Sequence, residues 1–438
     1  MIIKNRKIGC GRPLICVSVT AATEDGIRKQ FRDLVYEDID AVEWRADFFD
    51  AYSDECRVNS ILDEAYGLFK DRVFIFTFRT KSEGGEVDIT PAEYEKIILN
   101  AAAHRAVDLA DCQIKGAQAL GYTAAGGAEG FFCKVKDAGA YVLSSCHDFE
   151  KTPSSKDILA IADAMQKSGA DIIKFAYMPA RAEDPYRMMG ICRELKDKNP
   201  EIPLIFISMG KNGIISRLAG EAFGSCLTFG VADADSFVPE GDMTAGSAPG
   251  QLSIDVLNSV TKDLSRAIRS GKKLYLTGFM GAGKSAVSRK LAEITGVRLV
   301  DTDAFIEEIQ GRSIKDIFAS DGQEYFRDAE TKALKKLSEE NERLIVSCGG
   351  GMILRSENAD IMRDTGDVIW LKASPATILR RVKGSDSRPV LNGHMNEEYI
   401  AGLMEERRQA YEYACTDIVN TDSLLVDEVA KFIKNKYF

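Results

Sequence analysis

Lys174 stands in the run DIIKFAYM, whose neighbours suit a strand packed on both faces, and a lysine in such a place demands a reason. A lysine at its ordinary pKa of about 10.4 is only about 0.04% neutral at pH 7. Lowering that value by about three units makes it a usable amine and costs the ammonium about 4 kcal/mol. The run alone leaves two readings open: a Schiff-base nucleophile towards a ketone, or a strand-end lysine that reaches solvent. His147, one of three histidines, ends the preceding apolar strand in VLSSCHD, where a proton shuttle would face the same centre. His104, in NAAAHRAVD, and His394, in NGHMNEEY, read as structural or exposed. Arg45, Arg79 and Arg217 offer positive charge to an anionic substrate inside a chain of net charge -10.

A second chemistry is written in LYLTGFMGAGKSAVSRKLAEITG, where Gly278, Gly283, Lys284 and Ser285 fall in GxxxxGK[ST] spacing between a strand and a helix. Glycines let backbone N–H groups turn towards phosphates, the helix N-terminus adds its dipole, Lys284 neutralises the β and γ oxygens, and Ser285 offers a hydroxyl to Mg²⁺. A chance match in a chain of this length is on the order of one in a hundred. Further along, RLVD ends in Asp301-Thr302-Asp303, where one carboxylate can hold magnesium waters and the other can orient an attacking hydroxyl. FRDAE carries Arg327, a strand ends in Cys348-Gly349-Gly350-Gly351, DSRPVL carries Arg388, and EERRQAY carries Arg407. The plainer alternatives are helix caps for Asp301 or Asp303 and surface ion pairs for Arg327 and Arg407.

These residues need elements to hold them. Apolar runs at Leu14 to Val19, Ala41 to Trp44, Val73 to Phe78, Ala106 to Ala110, Tyr141 to Ser145, Ile172 to Ala176, Leu204 to Ser208 and Leu227 to Phe229 alternate with helix-length segments. Eight such repeats over about 260 residues predict a (β/α)8 barrel, with its chemistry just past the C-terminal ends of the strands. The pattern restarts at KLYLTG, and strands at Lys273 to Gly278, Arg298 to Val300, Leu344 to Ser347, Val368 to Leu371 and Asp417 to Val419 predict a doubly wound parallel α/β domain. The expected division is 1–264 for the barrel, 265–272 for a linker and 273–438 for the P-loop domain.

With 438 residues the chain has room for two domains, and 45% hydrophobic with 28% charged residues excludes disordered and fibrous classes. No apolar stretch is long enough for a signal peptide or a membrane span, so a cytoplasmic location is expected. The ten cysteines are scattered singly, which reads as reduced, mostly buried thiols, with a zinc site as the lesser alternative. Net charge argues against nucleic acid as a partner.

VEWRAD, FTFRTKSEGG, SSCHDFEKTP, ADIIKFAYMP, ISMGKNGIISRLAGEAFGS and SAPGQ, in this order, resemble type I 3-dehydroquinate dehydratase across nearly the whole N-terminal portion. The resemblance implies that Lys174 forms an iminium with the C3 ketone of 3-dehydroquinate, with no organic cofactor. It makes His147 the group that removes the C2 proton and protonates the departing C1 hydroxyl, with Glu83 orienting it. Arg217 would take the substrate carboxylate, and Ser18, Glu43, Trp44, Arg45, Arg79, Met209, Phe229, Ser247, Ala248 and Gln251 would surround the substrate or close the site. One departure is the stretch VADADSFVPEGDMTAG after Phe229, longer than the family's usual connection, from which a slower or looser lid is expected.

DTD, FRxxE, GGG, RP and RxxxY behind the GxMGAGKS loop resemble shikimate kinase from Lys273 to Phe438. By that resemblance Asp303, Arg327, Gly349, Gly350 and Arg407 bind shikimate, the two arginines clamping its carboxylate. ATP would lie on Gly281, Ala282, Gly283, Lys284, Ser285 and Ala286, with Arg388 reaching it from a mobile lid, and Mg²⁺ on Ser285 and Asp301. Ala286 departs from the threonine of many members and cannot donate a hydroxyl to the α-phosphate. The implied chain is a bifunctional shikimate-pathway enzyme, with a homodimer through the barrel and association with a shikimate dehydrogenase as partner expectations. Its rivals are a class I aldolase fused to a sugar-acid kinase, and a fusion in which one half survives only as a binding module.

Overall fold

The computed structural model describes residues 1–4, 6–9, 11–114, 127–232, 247–268, 272–383 and 396–438. The chain forms two compact units, whose main spans are Ile8–Leu264 and Ser265–Phe438. Among the described residues no helix is long and apolar enough to cross a membrane.

In the first unit the strands β1 (Leu14–Val19), β2 (Ala41–Arg45), β3 (Val73–Thr77), β4 (Leu109–Gln113), β5 (Tyr141–Asp148), β6 (Ile172–Tyr177), β7 (Leu204–Ser208) and β8 (Leu227–Val231) are all parallel. From β1 to β7 each pairs with the next, and β8 pairs with β1. The seam between β7 and β8 is tied by the Cys226 N–H donating to Leu204 O at 2.7 Å and the Phe206 N–H donating to Ser225 Oγ at 3.1 Å. The sheet is thus a closed (β/α)8 barrel.

Strand alternation sorts side chains into two apolar populations. Leu14, Cys16, Ala41, Val73, Ile75, Leu109, Leu143, Ile172, Ile205 and Leu227 fill the barrel interior. Val17, Val42, Phe74, Phe76, Ala110, Val142, Ile173, Phe175 and Phe206 face outward and pack with the helices. The interior is apolar towards the N-terminal ends of the strands and turns polar towards their C-terminal ends, where Glu43, Thr77, Asp111, Ser145, His147 and Lys174 are all buried. Burying so many polar groups in one layer is tolerated only because they satisfy one another.

The fourth strand starts at Leu109, three residues later than the apolar run AVDLA predicts. Residues before it form a turn, with the Val107 N–H donating to His104 O at 3.0 Å and Asp108 accepting from the Phe74 N–H at 2.7 Å. The shift carries Asp111 and Gln113 into the strand and into the barrel interior.

The second unit is a parallel five-stranded sheet of β10 (Lys273–Thr277), β11 (Leu299–Asp301), β12 (Ile345–Ser347), β13 (Gly366–Lys372) and β14 (Asp417–Asn420), after a short β9 (Leu252–Ser253) that pairs with β8. Their order is β11-β12-β10-β13-β14, which puts β10 at the centre; the chain passes from it to β11 and β12 on one side and then crosses to β13 and β14 on the other. Leu274 and Leu276 pack on one face of this sheet and Tyr275 on the other, so each face has its own core. A crevice opens beyond the C-terminal ends of the strands, where a doubly wound sheet places its ligand.

Candidate active sites

Lys174 occupies the middle of β6 and is 4% exposed, so it does not reach solvent. Its Nζ lies 3.4 Å from Glu43 Oε1 and 3.3 Å from Asp111 Oδ2, and 4.5 Å from the centre of the Phe229 ring. Glu43 accepts from Thr77 Oγ1 at 2.9 Å and Ser18 Oγ at 2.6 Å. Burial would raise the Glu43 carboxyl, but Lys174 and Arg45 outweigh it and hold the group below its ordinary range.

His147 ends the interior row of β5, and its Nδ1 lies 3.0 Å from Glu83 Oε2. A carboxylate there places the proton on Nδ1 and gives Nε2 the lone pair of a base. Glu83 also accepts from the His147 backbone N–H at 3.0 Å, which ties the carboxylate to the strand that carries its partner. Burial pushes the Glu83 carboxyl up from 4.5 to about 7, against the pull of Arg79. The folded chain therefore holds this proton more tightly than the unfolded chain, and the associated stability is fully present below pH 4.5 and lost as pH rises through about 7. Glu83→Gln is expected to remove a slope of about 3 kcal/mol over that interval, read from denaturant midpoints at each pH.

Arg217 is 1% exposed and donates only to main-chain carbonyls, Phe229 O at 3.4 Å and Pro249 O at 3.0 Å, while its Nε finds no acceptor. Burial lowers its pKa to about 10. No carboxylate among the described residues pairs with it. Arg45 is different, because Asp47 takes its Nε at 2.8 Å and Nη2 at 2.7 Å.

Glu43, Arg45, Arg79, Glu83, His147, Lys174, Met209, Arg217, Phe229, Ser247, Ala248 and Gln251 all line one narrow cavity of about 40 Å³. That is room for about one water, so a ring-sized ligand needs the site to open. The SAPGQ segment closes it: Ser247 Oγ donates to Ser18 Oγ at 2.8 Å and Gln251 Nε2 donates to Ser247 Oγ at 3.1 Å. Trp44 does not belong to the cavity. Alternation along β2 turns it outward from Glu43 and Arg45, and it packs edge-on against Phe76 at 5.6 Å in the layer under the helices. Residues 233–246 of the long connection lie outside the described residues.

In the second unit β10 runs into the P-loop, and α1 (Lys284–Thr295) starts behind Gly283, whose φ of 101° suits a residue without a Cβ. Lys284 Nζ donates to Gly278 O at 2.8 Å and Phe279 O at 3.3 Å. Asp301 caps the helix α2 (Thr302–Gln310), accepting from the Asp303 N–H at 3.1 Å, so the cap reading of Asp301 holds alongside any role towards a ligand. Asp303 has its carboxyl raised by burial and by Asp301, opposed by Lys284 and Arg327. Arg327 is anchored to the buried Glu330 at 2.6 Å. Tyr411 stacks on Trp370 with ring centres 5.2 Å apart and donates to Gly350 O at 3.2 Å, fixing the glycine turn from behind.

A cleft of about 620 Å³ gathers Gly281, Ala282, Gly283, Lys284, Ser285, Ala286, Asp301, Asp303, Arg327, Gly349, Gly350 and Arg407. Arg388 and His394 lie outside the described residues.

Several residues of these sites were not picked out by sequence. Asp111 was hidden by the misplaced start of β4. Arg381 bridges Ala282 O at 3.4 Å and Thr421 Oγ1 at 3.0 Å, tying the P-loop to the turn after β14. Glu330 is the last residue of FRDAE, and its spacing from Arg327 on one helix face was the available signal.

A lyase barrel carrying a buried lysine, followed by a P-loop phosphotransferase, is the class of protein defined by these two units. The sequence profile of type I 3-dehydroquinase matches residues 15–267, and that of shikimate kinase matches residues 280–437. The 3-dehydroquinate dehydratase of Clostridium botulinum is 37% identical over 266 residues, covering 61% of this chain and 98% of that protein. The enzyme of Klebsiella pneumoniae is 35% identical over 263 residues, covering 60% and 98%. Among solved structures, the type I 3-dehydroquinate dehydratase of Clostridium difficile aligns with a TM-score of 0.54 at 33% identity, covering 61% of this chain and 98% of that one. The chain belongs to the type I 3-dehydroquinase family, and its C-terminal part is a shikimate kinase domain with ATP as a substrate.

Proposed function

We propose that the barrel dehydrates 3-dehydroquinate to 3-dehydroshikimate through a Schiff base on Lys174, and that the second unit phosphorylates shikimate to shikimate 3-phosphate with ATP. The observation that carries the first half is Arg217, a buried cation with no carboxylate partner among the described residues, in the same cavity as Lys174 and His147. A substrate carboxylate supplies the missing counter-charge and leaves the ring between the amine and the base. Lys174 attacks the C3 ketone and water leaves. The iminium draws electrons from C2, His147 takes the C2 proton, and the C1 hydroxyl departs as water with a proton returned by His147; a second water then hydrolyses the iminium, freeing 3-dehydroshikimate and the Lys174 amine. Glu83 keeps the imidazole in the required tautomer. Ser18, Glu43, Arg45, Arg79, Ser247 and Gln251 hold hydroxyls or close the site.

In the kinase half, Arg327 and Arg407 clamp the shikimate carboxylate, and Asp303 orients the hydroxyl that attacks. Lys284 exchanges its loop carbonyls for the β and γ oxygens of ATP. Ser285 and Asp301 line the same cleft, and a hydroxyl with one carboxylate suits Mg²⁺, which keeps several waters and takes phosphate oxygens as its remaining ligands. Ser285 and Asp301 would hold the ion, which would supply positive charge towards the transferring group. Arg388 is assigned to ATP by motif alone. A Cβ at Gly351 would fall on the guanidinium of Arg327. Gly351→Ala is therefore expected to raise KM for shikimate about tenfold or more, with KM for ATP nearly unchanged, measured in steady-state kinetics.

3-Dehydroshikimate is a ketone and shikimate an alcohol, so a reduction separates the two reactions. Association with a shikimate dehydrogenase, a homodimer through the barrel and a cytoplasmic location complete the reading. The test is a single preparation assayed for enone formation from 3-dehydroquinate and for shikimate-dependent ADP release. Both activities are expected; absence of either, in folded protein that binds ATP, removes the corresponding half.

A further inference from the structure

Asp111 holds a place that the steps above do not use. Its Oδ2 lies 3.3 Å from Lys174 Nζ, and two other donors fix the carboxylate: Arg79 Nη2 to Oδ2 at 2.7 Å and Ser145 Oγ to Oδ1 at 2.5 Å. Ser145 Oγ also accepts from Arg79 Nη1 at 2.8 Å, so Asp111, Ser145 and Arg79 form a closed triangle. Glu43 is the other carboxylate beside Nζ, and it is held differently, by the neutral hydroxyls of Ser18 and Thr77. Ser18 belongs to the closure at Ser247, so Glu43 is free to trade that hydroxyl for one on a ligand when the segment opens. Asp111 has no such freedom. Its second cation is a buried guanidinium that burial would weaken but that Asp111 and Glu83 keep firmly charged.

Imine formation conserves charge at this nitrogen. An ammonium and a ketone give a protonated iminium and water; the C–N bond forms, the C–O bond breaks, and the cation stays where it was. A fixed anion therefore suits both ends of the step. We propose that Asp111 is the resident counter-ion of the Schiff-base nitrogen, a positioning residue that stays anionic through the cycle and holds Lys174 Nζ first as ammonium and then as protonated iminium. This rests on the Schiff-base reading of the barrel. The protonated form matters because only a positive nitrogen withdraws enough electron density to acidify C2.

The nitrogen is faced by Cys16 and Ser18 from β1, Glu43 and Arg45 from β2, Arg79 and Glu83 from β3 and the turn after it, Ser145 and His147 from β5, and Arg217 after β7. Burial raises the Asp111 carboxyl, yet Arg79 and Lys174 together bring it below its ordinary range. With Asp111 neutral, Arg79 would keep only Glu83, at 3.9 Å, as a carboxylate ion-pair partner, its charge near the nitrogen would be less compensated, and the iminium would lose its proton at lower pH. An opposite charge within about 4 to 6 Å shifts such a group by about one to three units.

The experiment is the pH dependence of dehydration in the full chain carrying Asp111→Asn, alongside borohydride trapping with 3-dehydroquinate. The adduct on Lys174 is expected to form, with the alkaline limb of kcat moved down by at least about one pH unit. The loss relative to the parent should then be at least about tenfold greater near pH 9 than near pH 6.5. An equal loss at both pH values marks a merely structural role and overturns the proposal, as does an unmoved limb. Should Asp111→Asn fail to fold, Asp111→Glu keeps the charge: a lower kcat on the parent's limb supports the proposal, and a limb displaced by about one unit or more overturns it. A parent chain that yields no adduct removes the Schiff-base reading itself, a different failure from an adduct with an unmoved limb.

Discussion

Lys174→Ala is expected to lower dehydration by at least about 10⁴-fold while shikimate phosphorylation stays within about twofold of the parent. The first figure follows from losing the covalent route: without Nζ there is no electron sink at C3, and His147 faces a C2 proton of ordinary acidity. The second follows from the division of the chain into two compact units, each with its own core. A stability loss should accompany the change, because Glu43 and Asp111 both lie within 3.4 Å of Nζ and would face each other without that cation. Removing one partner of a buried pair costs about 3–5 kcal/mol. Asp111 keeps Arg79 at 2.7 Å, so the cost should fall mostly on Glu43 and towards the lower figure. Assays below the lowered melting temperature, with circular dichroism to confirm folding, separate the catalytic loss from unfolding. Parallel loss of both activities in folded protein would contradict the independence of the sites.

Asp303→Asn is expected to lower kcat for shikimate phosphorylation by about 10²- to 10⁴-fold with a smaller change in KM. Burial and the neighbouring Asp301 raise the Asp303 carboxyl, while Lys284 and Arg327 oppose them. A carboxyl poised in this way can accept the proton of an attacking hydroxyl, whereas an amide can only orient it. The Asp303 Oδ1 sits where a Cβ at Gly349 would fall, so the glycine turn and the acid are packed directly together. This contrasts with Gly351→Ala, which displaces Arg327 and should act on KM. If Asp303→Asn raised KM alone, Asp303 would be a binding group and the base would have to be sought elsewhere.

The barrel was legible because eight apolar runs with helix-length spacing leave few other ways to bury them, and the P-loop because its glycines, lysine and serine have fixed spacing. Lys174 and His147 stood out as polar residues in apolar strands. What stayed hidden depended on phase and on pairing. The run AVDLA is as apolar as a strand, yet the turn tied by Asp108 and Phe74 delays β4, so the strand runs on through Asp111 and Gln113 instead of ending at Ala110. Asp111 was lost to that shift. Trp44 shows the same rule from the other side: it adjoins Glu43 and Arg45 in sequence, and adjacency in a strand means the opposite face. Glu330 lies on a helix with many charged residues and Arg381 directly follows Arg380, and only their partners in space set them apart.

The most direct test of the central claim is a peptide map of the full chain after incubation with 3-dehydroquinate and borohydride. A single reduced adduct on the peptide containing Lys174, suppressed by a competing carboxylate ligand, is the expected result. An adduct elsewhere, or none in protein that still dehydrates 3-dehydroquinate, would contradict the Schiff-base account.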